Sequence, residues 1–252
     1  MKLSSIIIAK NEENNIGRCL QSQIDCVDDI IVIIDEDSAD KTEEIVKSFK
    51  KVTYQKTKWL GYSKTKQYAA SLTANDWVLW IDADEALTIE LQKELIEFKN
   101  STPGYNAYSI KRKAYFLGRW IKHSGWYPGR VTRLFNKKFV AFSENGVHER
   151  LVVNGESGVL KSDLEHYTDP SIHHYFEKYN RYTSLAAEEL FNKQKKFSLR
   201  DITIRPVSLF IKMYLLKAGF LDGVQGFILA VFSSAYVFTK YCKLWELNRK
   251  EK

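Results

Sequence analysis

The chain has 252 residues, of which 44% are hydrophobic and 27% are charged. This composition is ordinary for a globular protein that buries a core, and the length fits one large α/β domain with or without an appended segment. The three cysteines (Cys19, Cys26 and Cys242) lack metal-binding spacing, and so sparse and odd a set argues against a disulfide framework and fits a reducing compartment. The apolar run at Leu3–Ile8 is too short for a secretory signal, so it predicts a buried strand.

The net charge of +7 is concentrated in the last quarter of the sequence. Residues 1–192 contain 26 Lys and Arg against 27 Asp and Glu, whereas residues 193–252 contain 12 against 4. This asymmetry predicts a tail that faces an anionic partner, which is membrane lipid, nucleic acid or an acidic acceptor. Because the chain has no recognisable nucleic-acid-binding motif, we expect no nucleic-acid partner.

The first hundred residues alternate between predicted strands and helices. A short apolar run at Leu3–Ala9, a continuous one at Ile30–Ile34 and another predicted strand at Trp77–Ile81 are typical of parallel strands buried on both faces. A helix is predicted over residues 63–73, and Thr88 is expected to cap another. Repeated β-α-β units predict an α/β fold with a mostly parallel central sheet and helices on both sides.

Beyond residue 100, glycines and aromatic residues become dense, and helical patterns follow. Strands are predicted over 108–112, 131–135 and 151–153, and helices over 175–195, 206–217 and 224–246. We therefore divide the chain into residues 1–100, residues 101–170, and a basic helical extension over residues 171–252.

Two carboxylates directly follow the predicted strand 77–81. Asp82 and Asp84 stand at i and i+2, where their mutual repulsion costs free energy unless a cation removes it. Mg²⁺ and Mn²⁺ bind carboxylate oxygens together with substrate phosphates, and such an ion neutralises a leaving diphosphate. Ligands also bind at the carboxyl ends of parallel strands. The pattern favours a metal site, and the alternative is a solvated turn that caps the next helix.

Asp35 ends the predicted strand 30–34 in the same way. A carboxylate at that position is able to accept a hydrogen bond from the imide N–H of uracil. The alternative is a turn that only caps the following helix, a role that Asp40 is also placed to fill.

Three segments carry a family resemblance: IIIAKNEE at 6–13, IDEDSADKT at 34–42 and WVLWIDADE at 77–85. Together they resemble family 2 glycosyltransferases of the GT-A fold. Further segments resemble the lipopolysaccharide core-region branch, which includes transferases that place β-1,4-linked glucose on inner-core heptose, and which also resembles bacteriocin-peptide S-glycosyltransferases. These segments are Arg133–Phe135, Val147–Leu151, His166-Tyr167, Tyr179–Tyr182 and Gly219–Gly223.

The resemblance implies a metal-dependent inverting glycosyltransferase. Residues 1–100 would bind the nucleotide sugar and residues 101–170 the acceptor. The enzyme would move a hexose, expected to be glucose, from a UDP-sugar to an acceptor in lipopolysaccharide core or related cell-envelope glycan synthesis. The alternatives are a peptide or protein glycosyltransferase, and a catalytically inactive nucleotide-binding module.

The resemblance also assigns roles to individual residues. Asp35 would contact the base, Lys66 would lie near the diphosphate unless it is merely on a solvated helix face, and Asp82 would lie near the ribose or the metal's water shell. Asp84 would ligate Mg²⁺ or Mn²⁺ directly. The residues expected to border the nucleoside are Ala9, Asn11 and Glu13.

An inverting transfer needs a general base that takes the proton of the acceptor hydroxyl. Glu149 is the candidate base, because family members place a carboxylate in a comparable later segment. His148 would orient Glu149 or ligate the metal. The alternative is an ion pair of Glu149 with Arg150 or Arg133 that fixes a loop.

A candidate acceptor groove mixes aromatic rings with cations at Trp126, Tyr127 and Arg130. Aromatic faces pack on the C–H surfaces of sugars, and arginine binds phosphate with two hydrogen bonds. A buried aromatic cluster is the alternative interpretation.

The tail has an uncharged stretch over residues 223–239, shorter than the roughly 20 residues of a spanning helix. We therefore predict an interfacial helix on an anionic membrane surface, beside a lipid-linked saccharide acceptor. The expected location is cytoplasmic and peripheral, on the inner face of the cytoplasmic membrane. The alternatives are the seam of a homo-oligomer and a helix that simply packs on the catalytic domain.

Overall fold

The computed structural model describes residues 1–142 and 151–250. Two compact units are present, and each is assembled from discontinuous segments. The first unit comprises Met1–Arg112 and Arg130–His166, and the second comprises Lys113–Gly129 and Tyr167–Lys252.

The first unit contains a sheet whose first half is parallel. Its strands lie in the order β3-β2-β1-β4, with Ile6 paired to Ile31 on one side and to Trp80 on the other. The strands are β1 (Leu3–Ala9), β2 (Asp29–Asp35), β3 (Val52–Thr57) and β4 (Trp77–Trp80). The helices of this half are α1 (Ile16–Gln21), α2 (Thr42–Lys47), α3 (Tyr62–Ser71) and α4 (Ile89–Lys99).

The sheet continues beyond β4 with strands that pair antiparallel, so it is mixed rather than mostly parallel. The order runs β4-β8-β6-β11-β5, and Val78 of β4 pairs with Phe135 while Glu85 pairs with His166. These strands are β5 (Glu85–Leu87), β6 (Ala107–Phe116), β8 (Gly129–Asn136) and β11 (Ser157–Asp169). A separate antiparallel pair is formed by β9 (Val140–Phe142) and β10 (Leu151–Val153).

Both faces of β1, β2 and β4 are buried, which explains their mainly apolar sequences. Ile7 of β1 joins one core cluster with Leu20 and Leu91, whereas its neighbour Ile6 joins another with Ala69. Successive side chains of a strand point to opposite faces, so helices on both sides favour apolar residues at most positions, with the buried Ser4 and Ser5 of β1 as polar exceptions. The expected cap at Thr88 is confirmed, because its Oγ1 accepts a hydrogen bond from the Leu91 amide at 3.2 Å.

The second unit is mainly helical. The short strand β7 (Arg119–Trp120) pairs with the end of β6, and Ser171 caps the first long helix by accepting from the His174 amide at 3.1 Å. The predicted helices are confirmed with shifted ends, and the middle one ends in a π-helical turn at Lys212–Leu216 followed by a 3₁₀ turn at Gly219–Asp222. The helices are α5 (Ile172–Asn192), α6 (Leu199–Ile202), α7 (Ile204–Ile211) and α8 (Gly223–Lys250).

The segment Gly219–Lys250 is long and apolar enough to cross a membrane, by length and composition alone. Its polar side chains nevertheless contact neighbouring helices of the second unit. Thr239 Oγ1 lies 2.5 Å from the Tyr179 hydroxyl, and Lys243 Nζ donates to Asn180 O at 2.9 Å and to Thr183 Oγ1 at 2.8 Å. These contacts hold α8 as a packed helix against α5.

Candidate active site

The carboxyl ends of β2, β1 and β4 meet at one edge of the sheet in the first unit. Asp35 ends β2, Ala9 ends β1, and Asp82 follows β4. Adjacent parallel strands bring these ends together, as expected of a ligand-binding edge. The structure therefore gathers the donor residues predicted from distant parts of the sequence.

The segment after β4 turns tightly before β5. The Glu85 amide donates to Asp82 O at 2.9 Å, and the Asp82 amide donates to Glu85 Oε2 at 3.1 Å. This turn exposes Asp82 and Asp84 in part while it buries Glu85 completely. A third acidic residue, Glu85, thus lies next to the predicted pair of carboxylates but in a buried environment.

Asp82 is already surrounded by hydrogen-bond donors and cations. Arg133 Nη2 donates to Asp82 Oδ2, Trp80 Nε1 donates to Oδ1 at 3.0 Å, and Lys66 Nζ lies 3.9 Å from Oδ1. Burial opposes ionisation, but Arg133 and Lys66 outweigh it and hold the pKa of Asp82 well below its usual range. Asp82 is therefore an anion whose charge is balanced within the protein.

Arg133 and Glu85 form the buried part of this network. Arg133 Nη2 lies 2.7 Å from Glu85 Oε1, and Arg112 Nη1 lies 3.8 Å from the same atom. Burial raises the pKa of the Glu85 carboxyl, although Arg133 partly counters it. Nearby carboxylates raise the pKa of Arg133 in spite of its burial. Because a lone buried charge is costly, these groups stabilise one another.

Lys66 is buried, so the alternative of a solvated helix face is wrong. Its ammonium group lies 3.8 Å from the centroid of the Trp80 ring, over which the Arg133 guanidinium also lies at 4.4 Å. Both contacts are within the range of cation–π attraction. Trp80 thus positions the two cations that neutralise Asp82.

Asp84 has a different neighbour, His166 of β11. Asp84 Oδ2 lies 3.3 Å from His166 Nε2, and the other ring nitrogen, Nδ1, is buried without a hydrogen-bond partner among the described residues. Antiparallel pairing of β11 with β5 brings His166 opposite Glu85 and so beside Asp84. A carboxylate oxygen and an imidazole nitrogen at this separation are able to ligate one divalent cation.

No group of three or more His, Cys, Asp or Glu residues able to hold a metal occurs within residues 1–142 and 151–250. Asp84 and His166 would supply only two ligands. This number fits an ion that completes its coordination with substrate phosphates, as Mg²⁺ and Mn²⁺ usually do. The residues present therefore fit the predicted metal.

Asp35 is buried at the end of β2. Its carboxylate accepts from Lys10 Nζ at 3.0 Å and from the Asp37 amide at 3.0 Å. Burial opposes ionisation, but these two hydrogen bonds lower the pKa of Asp35. Asp40, rather than Asp35, accepts from the Thr42 amide at the start of α2. The alternative in which Asp35 only caps that helix is therefore wrong.

Asn11 and Glu13 connect the loop after β1 to the loop after β2. Asn11 adopts a left-handed φ of 54°, which asparagine tolerates better than most residues, and its Oδ1 accepts from the Ala39 amide at 2.9 Å. Glu13 Oε2 accepts from the Lys41 amide at 3.1 Å. The two side chains thus shape the edge of the sheet beside Asp35.

The candidate acceptor residues fall into different units. Arg130 is exposed on β8 in the first unit, whereas Trp126 and Tyr127 belong to the second unit, where both line a cavity of about 810 Å³. Both rings are half-buried and pack edge-on, Trp126 against Phe116 and Tyr127 against Trp120. Trp126 and Tyr127 therefore belong to an aromatic cluster and also line the cavity.

The candidate base Glu149 and its neighbour His148 lie outside the described residues. Several residues of the site were not assigned a role in it from the sequence, and Arg133 and His166 are two of them. Each lies within a segment that carries the family resemblance. The sequence signal existed, but the partners of these residues depend on antiparallel strand pairing.

Comparisons of sequence point to one family. A family model described as glycosyl transferase family 2 matches residues 4–168. An uncharacterized glycosyltransferase of Rickettsia typhi is 34% identical over 262 residues, which cover 100% of this chain and 89% of that protein. The lipopolysaccharide core biosynthesis glycosyltransferase LpsC of Rhizobium meliloti is 26% identical over 257 residues, which cover 98% of this chain and 93% of LpsC.

Comparisons of structure bear on the fold. The mannosyltransferase PcManGT from Pyrobaculum calidifontis, in complex with GDP-Man and Mn²⁺, aligns with a TM-score of 0.58 at 11% identity, covering 97% of this chain and 87% of that chain. S. aureus TarS 1-349 in complex with UDP-GlcNAc aligns with a TM-score of 0.51 at 15% identity, covering 100% of this chain and 93% of that chain. The predicted α/β fold of the GT-A type is confirmed.

Proposed function

Because this chain belongs to glycosyl transferase family 2, we propose that it is a metal-dependent inverting enzyme that moves a hexose, expected to be glucose, from a UDP-sugar. The proposed acceptor is a lipid-linked saccharide of lipopolysaccharide core or a related cell-envelope glycan. Residues 1–100 would bind the donor and residues 101–170 the acceptor. The similarity to LpsC supports this choice of acceptor.

The observation that carries the proposal is the pairing of Asp84 with His166 beside a neutralised Asp82. Asp84 and His166 would hold Mg²⁺ or Mn²⁺, which would neutralise the charge that develops on the leaving diphosphate. Because Asp82 is already balanced by Arg133 and Lys66, Asp84 is the carboxylate that remains for the metal. Asp82 would accept a hydrogen bond from the ribose instead.

The cations of the site would act on the donor in two ways. Lys66 Nζ lies 3.9 Å from Asp82 Oδ1, and it would contact the diphosphate of the bound donor as well. Arg133 holds Asp82 and Glu85 in place, and is therefore a positioning residue. A site whose charges are fixed before the donor binds needs little rearrangement in the transition state.

The uracil base would be read by Asp35. Lys10 and the Asp37 amide keep this carboxylate ionised, so it accepts a hydrogen bond and does not donate one. The imide N–H of uracil is a donor and fits an obligate acceptor. Asn11, Glu13 and Ala9 would border the same nucleoside.

The chemical step needs a base for the acceptor hydroxyl. Glu149 would take the proton while the hydroxyl oxygen attacks the anomeric carbon, and the bond from that carbon to the diphosphate oxygen breaks, which inverts the configuration. His148 would orient Glu149. These two roles rest on the family resemblance of the segment Val147–Leu151.

The two alternatives differ from the proposal in testable ways. An inactive nucleotide-binding module is able to use Asp84 and His166 for the same metal, so hydrolysis of the UDP-sugar by the purified protein distinguishes an enzyme from it. A peptide or protein glycosyltransferase would not need the exposed apolar and basic surface of the second unit. That surface supports a cytoplasmic enzyme attached to the inner face of the cytoplasmic membrane, with a homo-oligomer as the competing explanation.

Calorimetry of UDP binding tests the proposal. We expect UDP to bind more tightly in the presence of Mn²⁺ than with a chelator. Mn²⁺ should increase the affinity for UDP more than Mg²⁺ does, because an imidazole ligand favours transition metals. Hydrolysis of UDP-glucose, UDP-galactose and UDP-N-acetylglucosamine by the purified protein then identifies the donor. Equal UDP affinity with and without either ion would contradict the metal role.

A further inference from the structure

The Gly219–Gly223 segment carries the family resemblance but has no role in the proposed donor site. In the second unit it fixes the loop at residues 122–129. The Asp222 carboxylate, only 2% exposed, accepts from the Lys122 amide at 3.2 Å and the His123 amide at 2.9 Å, and lies 3.0 Å from His123 Nδ1. A buried carboxylate used in this way orients the imidazole and leaves Nε2 as the ring nitrogen that Asp222 does not hold.

Gly219 and Ser124 are packed closely enough to fix each other. A Cβ atom on Gly219 would lie 2.5 Å from Ser124 Oγ and 2.7 Å from Met213 O, so a larger residue would displace the serine. The Ser124 amide also donates to Lys217 O at 2.9 Å. The loop is therefore attached to the turn segments that follow α7.

This loop lines the cavity of about 810 Å³, and the lining also includes Lys212 and Lys217. Within residues 1–142 and 151–250, the ammonium groups of Lys122, Lys212 and Lys217 have no carboxylate within 4.0 Å. Ser124 Oγ is buried and has no hydrogen-bond partner in the part of the chain that the structure describes. These groups supply positive charge and a hydroxyl donor, which together favour an anionic ligand.

The cavity also offers surfaces for a sugar. Trp126 and Tyr127 line it with half-buried rings, and Lys122 is held over the Trp120 ring at 4.6 Å from the centroid. An aromatic face packs against sugar C–H groups, whereas inorganic phosphate gains nothing from it. The lining therefore fits a sugar that carries a negative charge better than an anion alone.

Two of the cavity's lysines lie in a segment that exposes several apolar side chains. Lys212 and Lys217 are exposed, and so are Ile211, Leu215 and Leu216 between or beside them, whereas Met213 is buried. Such a segment suits contact with a molecule that carries both lipid and charge. An acceptor at a membrane surface would present its sugars beside the lipid.

From these observations we infer that the cavity binds a phosphorylated sugar of the lipid-linked acceptor, held by Lys122, Lys212, Lys217, His123 and Ser124. The inference rests on the proposed function, because it names the class of acceptor that the transferase would use. A phosphate group has enough oxygen atoms to meet several of these donors together.

Titration calorimetry with glucose 6-phosphate tests the inference on the full chain. A chelator is present, so that metal in the first unit cannot recruit the phosphate. We expect binding that is tighter than that of glucose, glucuronate or inorganic phosphate. Lys212→Gln/Lys217→Gln should weaken binding at least tenfold, and Ser124→Ala should weaken it about tenfold through loss of one charge-assisted hydrogen bond. Lys195→Gln/Lys196→Gln removes the same charge from exposed positions outside the cavity and should leave affinity unchanged.

Each contrary result overturns a defined part of the inference. Equal affinity for inorganic phosphate would reduce the cavity to an anion site without sugar recognition. Glucuronate binding as tightly as glucose 6-phosphate would contradict the choice of phosphate, and equal losses in the two double variants would show non-specific attraction. UDP binding by the wild-type protein is measured separately. If that binding does not depend on metal, the proposed function is contradicted, and not the inference about the cavity.

Discussion

The two units present their charges in opposite ways. In the first unit, Lys66 and Arg133 are buried against Asp82, Glu85 and the Trp80 ring. In the second unit, the cavity lysines are exposed, and the nearby carboxylate of Asp222 is occupied by backbone amides and His123. Buried charges must be paired because desolvation is costly, whereas exposed charges remain hydrated until a ligand arrives.

This difference separates two ways of binding an anion. The first site fixes its own charges and leaves Asp84 with His166 as the open position. The second offers cations that a ligand has to neutralise. We therefore expect changes in the first unit to alter chemistry and stability strongly, and changes in the second to alter affinity more moderately.

The largest effect is expected at Asp84. Asp84→Asn keeps the shape of the side chain but removes its charge, so sugar transfer should fall by about 10³-fold or more, because a metal on the diphosphate contributes several kcal/mol. UDP release measures the loss of transfer, and calorimetry measures the expected loss of metal-dependent UDP binding. Asp76→Asn is the matched control, because it removes one carboxylate from an exposed pair with Lys138 in the same unit. Metal-dependent UDP binding that survives in Asp84→Asn would place the ion elsewhere.

The next effect concerns the proposed base. Glu149→Gln removes the ability to accept a proton, so turnover should fall by about 10²- to 10⁴-fold while UDP affinity stays nearly constant. A pH–rate profile that loses its acidic limb would identify Glu149 as the titrating group. Near-normal turnover in the folded variant would move the base to another carboxylate, with Asp163 and Glu165 as the next candidates.

At Arg133 we expect a smaller effect, and one on stability rather than on the chemical step. Arg133→Met leaves Asp82 and Glu85 without their shared cation, and breaking a buried pair of this kind typically costs about 3–5 kcal/mol. Urea denaturation measures the free energy of unfolding. Arg133→Met/Glu85→Gln should recover part of the loss, because the two residues are in direct contact.

Arg119 in the second unit provides the matched control for Arg133→Met. Arg119 is exposed, and among residues 1–142 and 151–250 its Nη2 donates only to the Leu221 carbonyl, at 3.4 Å. Arg119→Met should therefore lower the free energy of unfolding by less than about 1 kcal/mol. Equal losses at Arg119 and Arg133 would contradict the contrast between paired buried charge and solvated charge.

Much of the first unit is predictable from the sequence, because its strands are buried on both faces. Continuous apolar runs marked β1, β2 and β4, and the acids after them fell at one edge as parallel pairing requires. The position of Asp35 and Asp82 follows from that rule alone. Local patterns were sufficient here since each strand and its functional residue are adjacent in the chain.

The antiparallel half was less predictable. Strand β11 mixes Leu160 and Leu164 with Lys161, Asp163 and Glu165, so its apolar signal is weak, and it was not predicted. Without β11 and the pairing of β8 with β4, nothing in the sequence places His166 at Asp84 or Arg133 at Asp82. The contacts join residues far apart in sequence and depend on strand register.

The tail shows a further limit of prediction from the sequence. The charge imbalance predicted a basic surface, but Lys243 is not part of it, because its ammonium group is used by Asn180 and Thr183 of α5. Helical spacing reveals which residues share a face, but it does not reveal which lysine is bound by a neighbouring helix. Membrane contact therefore remains a prediction that rests on the other exposed groups.

The last prediction tests that contact. Val207, Ile211 and Leu215 recur every four residues along α7 and the following turn, and all three are exposed. Each nearby Lys or Arg contributes about 1 kcal/mol at an anionic surface, so a few of them with one inserted apolar face give reversible attachment. The protein should sediment with anionic vesicles at low salt and be released as salt rises. Val207→Ser/Ile211→Ser/Leu215→Ser should abolish sedimentation.

The control replaces three exposed apolar residues of the first unit, Leu72, Ile89 and Ile96, with serine. This triple variant should still sediment, because the attachment belongs to the second unit. The competing explanation is a dimer seam built from the same face, which predicts a dimer that resists salt and ignores vesicles. In that case the α7 variant would become monomeric, and the size measured by light scattering, rather than sedimentation, would change. A monomer that binds vesicles before the substitutions and not after them supports the membrane surface, because only lipid then accounts for the exposed apolar face.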